Sequence, residues 1–168
     1  MGKKCDFLCD FYFLLPRALK AFMVYGKRLV KSPKLYFVYT GLATLLLGIR
    51  TAEELFVHPN RGNIFESFVV SGFLKARCNQ GFTPDIYFWR DNVGTEVDVV
   101  YEGGPKLKAI EIKSGKTFDP EFAKGLESWM RYSRTAPADC ALAYAGEQSM
   151  KWKDLPLVPW AFVGGLVK

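Results

Sequence analysis

Charged side chains occupy alternate positions on two neighbouring segments of the chain that have the pattern of β-strands. Glu96 and Asp98 lie on the first segment, and Glu111 and Lys113 lie on the second. The glycine-rich turn at residues 103–105 favours a symmetric hairpin between them. In that register Asp98 lies directly across from Glu111, and Glu96 lies across from Lys113. Because directly opposed like charges repel, the Asp98–Glu111 pair requires a cation or a shared proton between its carboxylates.

A third carboxylate comes from an upstream segment that has helical periodicity. Residues 63–77 carry apolar side chains at helical spacing, and Glu66 lies at the edge of that apolar stripe. Lys113 alone does not neutralise three acids, and an uncompensated buried charge costs roughly 3–5 kcal/mol. Carboxylate oxygens suit Mg²⁺ or Mn²⁺ better than zinc. We therefore predict that Glu66, Asp98 and Glu111 bind one of these divalent ions.

The elements that must position these residues alternate between helix and strand. Val97, Val99, Ile110 and Ile112 are predicted to share the core face of the hairpin, opposite the charges. Asp119, followed by a proline, predicts the start of a second helix. The fold prediction is an α/β domain with a central mixed sheet, in the order helix (63–77), three strands (86–90, 95–101 and 107–113), helix (119–134) and buried strand (140–145), with a further candidate strand at 157–163.

The first fifty residues hold the basic excess of the chain. The formal net charge is +6, and residues 1–50 contain nine Lys or Arg and two Asp or Glu. We predict a helix over 5–25 broken near Pro16, a strand over 34–39, a short helix over 42–47 and a domain boundary near residue 50. Interleaved basic and aromatic residues favour nucleic-acid phosphate contacts, assigned to Lys27, Arg28, Lys31 and Lys34, with Lys116 from the second domain. A solvated basic surface, or a patch for an acidic partner, explains the same composition.

Other motifs exclude several classes of function. The cysteines are scattered and fit the reduced thiols of a cytoplasmic protein, and His58 has no second histidine to pair with. No apolar run is long enough for a membrane span or a signal segment. Residues 114–117 resemble the end of a Walker A loop, but the required earlier glycine falls on Ile110, so we expect no ATP site there.

The acidic residues and the lysine together resemble the signature of the PD-(D/E)XK nuclease superfamily. The similarity rests on Glu66 in a first helix, Asp98 on one strand and the sequence EIK at 111–113 on the next. It implies a restriction-endonuclease-like core and a divalent ion held by Asp98, Glu111, the Ile112 carbonyl and Glu66. Lys113 would orient the attacking water or stabilise charge on the phosphate, while Glu96 would hold Lys113 or ligate the ion. The implied activity is hydrolysis of nucleic acid, with DNA favoured.

A closer resemblance covers nearly the whole chain. The segments KRLVKSPKLYF (27–37), GNIFESFV (62–69), WRD (89–91), EVD (96–98) and EIKSG (111–115) are similar to the C-terminal part of prokaryotic AAA-type P-loop ATPases that end in a nuclease-like domain of unassigned role. This similarity implies a small winged-helix-like remnant before residue 50 and an ATPase subunit or domain as partner. Tyr39 stands where that family usually has aspartate. The ATPase module is absent, which leaves a fragment, a shortened product or a free-standing version.

Two other interpretations of the charged hairpin remain open on the sequence. The charges could form a solvated ion-pair cluster on an exposed edge, although Val100 and Ala109 on the same face favour a covered one. Alternatively, the fold could serve as a catalytically silent module that binds nucleic acid or a protein partner.

Overall fold

A mixed β-sheet lies at the centre of the protein. The computed structural model describes residues 33–167 and the backbone of residues 17–21. Within those residues the strands are β1 (Arg17–Ala21), β2 (Lys34–Tyr36), β3 (Ile86–Arg90), β4 (Glu96–Gly103), β5 (Lys106–Lys113), β6 (Cys140–Tyr144), β7 (Met150–Trp152) and β8 (Leu155–Pro159). They form one described sheet of eight strands in the order β2-β1-β3-β4-β5-β6-β8-β7. The β5–β6 and β6–β8 pairs are parallel, and the β3–β4 and β4–β5 pairs are antiparallel.

Four α-helices and three 3-10 helices lie within the described residues. They are α1 (Thr40–Leu46), α2 (Ala52–Val57), α3 (Arg61–Asn79) and α4 (Lys124–Ser133), with 3-10 helices at Pro120–Ala123, Pro137–Asp139 and Trp160–Leu166. Thr51 and Glu54 form a capping box at the start of α2. Asp119 caps the 3-10 turn that leads into α4, where its side chain accepts a hydrogen bond of 2.9 Å from the Glu121 N–H.

The core consists of two layers, one on each side of the sheet. Val69, Val70 and Phe73 of α3 pack in one layer, together with Val99 and Ile110 of the hairpin. The other layer contains Leu126 and Trp129 of α4 and the hairpin residues Val97, Val100 and Ala109. Both layers exclude water because their members are almost fully buried. The predicted α/β domain with a central mixed sheet and helices packed on it is confirmed.

A β-bulge in β4 changes the predicted facing of one residue. The hairpin register is as predicted where the two strands pair, from Gly103↔Lys106 to Val99↔Ile110. On the other side of β4, Val100 pairs with Tyr87 but Val97 pairs with Trp89, so β4 contains one more residue than β3 between these pairs. The prediction that Val97 shares a face with Val99 is therefore wrong, because the extra residue turns Val97 towards α4.

Several short elements differ from the sequence prediction. Residues 17–21 form β1 rather than part of a helix, and β7 was not predicted. The strand predicted over 34–39 ends at Tyr36, and the one predicted over 157–163 begins at Leu155 and turns into a 3-10 helix at Trp160. Predictions for residues 1–16 and 22–32, including Lys27, Arg28 and Lys31, lie outside the described residues. The boundary near residue 50 and the winged-helix-like remnant stay predictions, while β2 joins the sheet through β1.

Candidate active site

A cleft of about 530 Å³ lies beside the end of the β4–β5 pairing. All four residues predicted to carry the chemistry line it: Glu66 from α3, Asp98 from β4, and Glu111 and Lys113 from β5. Asp98 and Glu111 are only 5% and 4% exposed, so the exposed-edge interpretation of these charges does not hold. The structure thus brings together, in one cleft, side chains from three separate elements.

Where β4 and β5 separate, the Asp98 carboxylate accepts a backbone hydrogen bond that a carbonyl group of β4 would otherwise accept. Beyond the Val99↔Ile110 pair, its Oδ2 accepts a hydrogen bond of 2.9 Å from the Ile112 N–H. Its Oδ1 lies 2.8 Å from the ammonium Nζ of Lys34. Burial alone would raise the pKa of Asp98, but the Lys34 charge and these hydrogen bonds hold it below its usual range. Asp98 is therefore an ionised carboxylate.

Glu66 is held from the side of β2. Its Oε1 accepts a hydrogen bond of 2.5 Å from the Tyr36 hydroxyl and lies 2.5 Å from Nζ of Lys34. Burial, together with the nearby charge of Asp98, raises the pKa of Glu66 to about 7 in spite of Lys34. The prediction that this acid turns towards the acidic end of the hairpin matches its position.

Glu111 has one satisfied oxygen and one free oxygen. Oε1 lies 2.5 Å from Nζ of Lys113. Oε2 is buried and has no hydrogen-bond partner in the part of the chain that the structure describes. It faces Gly125 at the start of α4, where a Cβ atom would lie 3.1 Å from it. Burial and the charge of Asp98 raise the pKa of Glu111 to about 8.

Lys34 pairs with the acids of the cleft, whereas the sequence predicts a phosphate contact for it. Its ammonium lies among Glu66, Asp98 and Glu96, at 2.5, 2.8 and 3.3 Å, rather than projecting as a free phosphate contact. This placement depends on β2 lying next to β1 at the edge of the sheet, which no local pattern indicates. The excess of acids over cations predicts a further positive charge, and the Lys34 ammonium supplies it where the sequence prediction has a metal ion alone.

Glu96 has different partners from those predicted. It pairs with Arg90 of β3 and with Lys34, whereas Lys113 pairs with Glu111, so the predicted Glu96–Lys113 pair is wrong. The physical reason is that β4 and β5 are no longer paired at this level, and so Glu96 is not held across from Lys113. Lys116 lies away from the cleft, on a depression that it shares with Tyr144 and Gly146. Its assignment to phosphate contact stays a prediction.

The carboxylates do not form a ready-made metal site as they stand. In residues 33–167, no group of three or more His, Cys, Asp and Glu side chains is arranged to hold a metal ion. The contacts explain this, because oxygens of Glu66 and Asp98 are directed at the ammonium of Lys34. The donor set nevertheless fits Mg²⁺ or Mn²⁺, since all its donor atoms are oxygens and the buried Oε2 of Glu111 has no partner within residues 33–167.

A family model matches most of the folded part of the chain. The match covers residues 61–163, from the start of α3 to the last 3-10 helix, and therefore includes Glu66, Asp98, Glu111 and Lys113. The chain belongs to the DUF4143 family. The family is described as a domain of unknown function. Lys34 and Tyr36 lie outside the matched part of this DUF4143 chain, although both contact Glu66.

Two mycobacterial proteins are similar to this DUF4143 chain. They are the uncharacterized protein Rv2008c of Mycobacterium tuberculosis and the uncharacterized protein Mb2031c of Mycobacterium bovis. Each is 30% identical over 130 residues, which is 77% of this chain and 27% of the relative. The chain thus spans about a quarter of the length of these relatives. No solved structure matches it. None of the helices within the described ranges is long and apolar enough to cross a membrane.

Proposed function

We propose that this domain is a divalent-metal-dependent phosphodiester hydrolase that acts on nucleic acid, with DNA as the favoured substrate. The observation that carries the proposal is the buried Oε2 of Glu111, which has no hydrogen-bond partner among the described residues, in a cleft that also holds Glu66, Asp98 and Lys113. A buried carboxylate oxygen without a hydrogen bond is costly unless a ligand completes it. A cation bound at the cleft would provide that ligand.

The residues have distinct roles under this proposal. Asp98, Glu111 and the Ile112 carbonyl would hold Mg²⁺ or Mn²⁺, with Glu66 as a further ligand directly or through water. A divalent ion supplies Lewis acidity to the scissile phosphate and to the attacking water. Lys113 reaches the same cleft on β5, where its ammonium can orient that water or stabilise charge on the phosphate oxygens.

The fold and the sequence resemblance support the nucleic-acid substrate. The order of helix, antiparallel strands, helix and parallel strand agrees with a restriction-endonuclease-like core. Lys27, Arg28, Lys31 and Lys116 would contact the phosphate backbone. The resemblance to AAA-type ATPases, and the greater length of the mycobacterial relatives, favour an ATPase subunit or domain as a working partner.

One observation favours a second function, a catalytically silent module that binds nucleic acid or a protein partner. Lys34 forms ion pairs with three of the acids and Lys113 with the fourth, so the protein neutralises most of the cleft by itself. Such a module would bind its partner without a divalent ion and would not cleave nucleic acid.

Metal titration combined with a cleavage assay tests the two functions. The parent protein should bind Mg²⁺ or Mn²⁺ in calorimetry, melt at a higher temperature as metal is added, and cut DNA. Asp98→Asn should lose the metal effect, whereas Lys113→Ala should keep metal binding and lose cleavage by about 100-fold or more. Lys106→Ala, which removes an exposed ion pair with Asp139, is the matched control. If the parent neither binds metal nor cuts single- or double-stranded substrates, the hydrolase proposal is wrong.

A further inference from the structure

Lys34 is positioned as a cation among ligands that would otherwise be offered to a metal ion. Its Nζ lies 2.5 Å from Oε1 of Glu66 and 2.8 Å from Oδ1 of Asp98, two of the acids proposed to bind metal. Glu96 completes the set at 3.3 Å. An ammonium and a divalent ion cannot occupy the same space between the same oxygens, and their charges repel.

We propose that Lys34 is a built-in counter-cation that a divalent ion must displace, so that the ammonium and the metal compete for the carboxylates of Glu66 and Asp98. The inference rests on the proposed metal-dependent function and concerns how that site is regulated. In the metal-free protein, Lys34 keeps buried acids paired, which avoids the penalty for an uncompensated buried charge. The same contact lowers the apparent affinity of the site for metal.

The surroundings of Lys34 allow its side chain to leave while its strand stays in place. The side chain is 23% exposed, and it lines the cleft at the end of a long flexible stem. Tyr36, two residues further along β2, is buried in the core and donates to Glu66. The Ser71 hydroxyl holds the following backbone by donating a 2.9 Å hydrogen bond to the Val38 carbonyl. Displacement therefore requires rotation of one side chain and no unfolding of β2.

The displaced ammonium remains at the cleft, where it can contact a phosphate group of the substrate. A phosphate that accepts Lys34 would free the carboxylates and strengthen metal binding, and metal would strengthen phosphate binding by the same factor. With this coupling, Lys34 pairs with the acids in the free protein and makes the predicted phosphate contact once it is displaced. The site would then assemble fully only when metal and nucleic acid are both present.

Metal affinity of a Lys34 variant provides the first test. Lys34→Met keeps an unbranched apolar stem of similar length but removes the ammonium group, and Lys106→Met is the matched control on a distant ion pair. Calorimetry with Mn²⁺ should show at least about tenfold tighter binding to Lys34→Met, with unchanged affinity in the control. Without metal, Lys34→Met should melt at a lower temperature than the parent. Equal Mn²⁺ affinity in the parent and Lys34→Met would overturn the inference and leave the hydrolase proposal standing.

Chemical labelling of the unsubstituted protein gives a second test that does not depend on the folding of a variant. An amine-acylating reagent followed by peptide mass spectrometry measures how accessible each lysine is. Acylation of Lys34 should increase when Mn²⁺ is added, while acylation of Lys106 should stay constant. If Mn²⁺ binds and the acylation of Lys34 does not rise, Lys34 is not displaced. If neither the parent nor Lys34→Met binds Mn²⁺, both proposals fail.

Discussion

Burial raises the pKa of Glu111 to about 8 and that of Glu66 to about 7, with the charge of Asp98 adding to both. The folded protein therefore holds these protons more tightly than the unfolded chain, in which both carboxyls titrate near 4.5. Stability linked to the two groups is complete below pH 4.5 and is lost as the pH rises through 7 and 8. The pKa of Asp98 is lowered, so its contribution to stability is lost as the pH decreases. That loss occurs only below its ordinary pKa of 3.8.

We accordingly predict that the metal-free protein becomes less stable between about pH 4.5 and pH 8. Glu111→Gln keeps the shape of the side chain without its titration, so its stability should fall less over the same interval. Urea unfolding at a series of pH values in the presence of a chelator measures both profiles. A parent protein whose free energy of unfolding stays constant over this range would contradict the assigned burial of the two acids.

Residue types and spacing are sufficient to predict that the acids of the cleft lie near one another. Glu66, Asp98 and Glu111 belong to elements that the sequence predicts, and all three line the cleft, although the β4–β5 pairing ends before it reaches Asp98 and Glu111. Lys34 could not be placed in the same way. Its contacts depend on where a three-residue strand at the edge of the sheet lies, and nothing in residues 34–36 specifies that neighbour.

Among the helices, the position of α4 depends on one glycine. A Cβ atom on Gly125 would lie 2.2 Å from the Glu96 carbonyl oxygen, which belongs to the backbone of β4 and cannot rotate away. The helix therefore approaches the strand more closely than any side chain at this position would allow. This close approach also places the start of α4 over the free oxygen of Glu111.

Two glycine substitutions should consequently have opposite effects. Gly125→Ala should destabilise the protein by about 1–3 kcal/mol, because the helix must move away from β4. Gly72→Ala, within α3, meets no atom within 4 Å and should stabilise the protein by about 0.5–1 kcal/mol through helix propensity. Urea unfolding of both variants measures the difference. If the two substitutions change stability in the same direction, the close approach of α4 to β4 does not constrain the fold.

Element predictions succeeded where local pattern and tertiary environment agree. The alternating residues of the β4–β5 hairpin and the helical spacing of apolar residues within α3 predict these elements, and both form. Residues 17–21, with the sequence RALKA, favour a helix by intrinsic propensity. They form β1 because β2 and β3 pair with them on either side. The bulge at Val97 could not be predicted from the sequence either, because an extra residue in one strand is defined only by the register of its partner.

Across the whole molecule, the net positive charge comes from residues 1–50, while the acids of the cleft lie in the remainder. We predict that Lys27, Arg28 and Lys31 supply affinity for nucleic acid that does not depend on base sequence. Replacing all three by Gln should weaken binding and reduce the slope of log affinity against log salt by about 0.7–0.9 for each phosphate that is no longer neutralised. Fluorescence anisotropy at several salt concentrations measures the slope.

The control for this experiment is a second triple variant with the same change in net charge. Lys106, Lys151 and Lys153 are exposed and lie outside the cleft, and their replacement by Gln should leave the slope unchanged. An equal loss of affinity in both variants would mean that net charge, and not the N-terminal segment, determines the affinity.

The ion pairs of Lys34 also have a consequence for the synthesis of the protein. Lys34 precedes Glu96 and Asp98 by 62 and 64 residues, so a large loop must close before they meet. At ordinary translation rates of about 5–20 residues per second, the ribosome needs roughly 3 to 13 s to add that intervening stretch. During this interval the nascent chain presents Lys34 without Glu96 and Asp98. The speed of translation, rather than the speed of collapse, therefore sets the earliest moment at which the cleft can close.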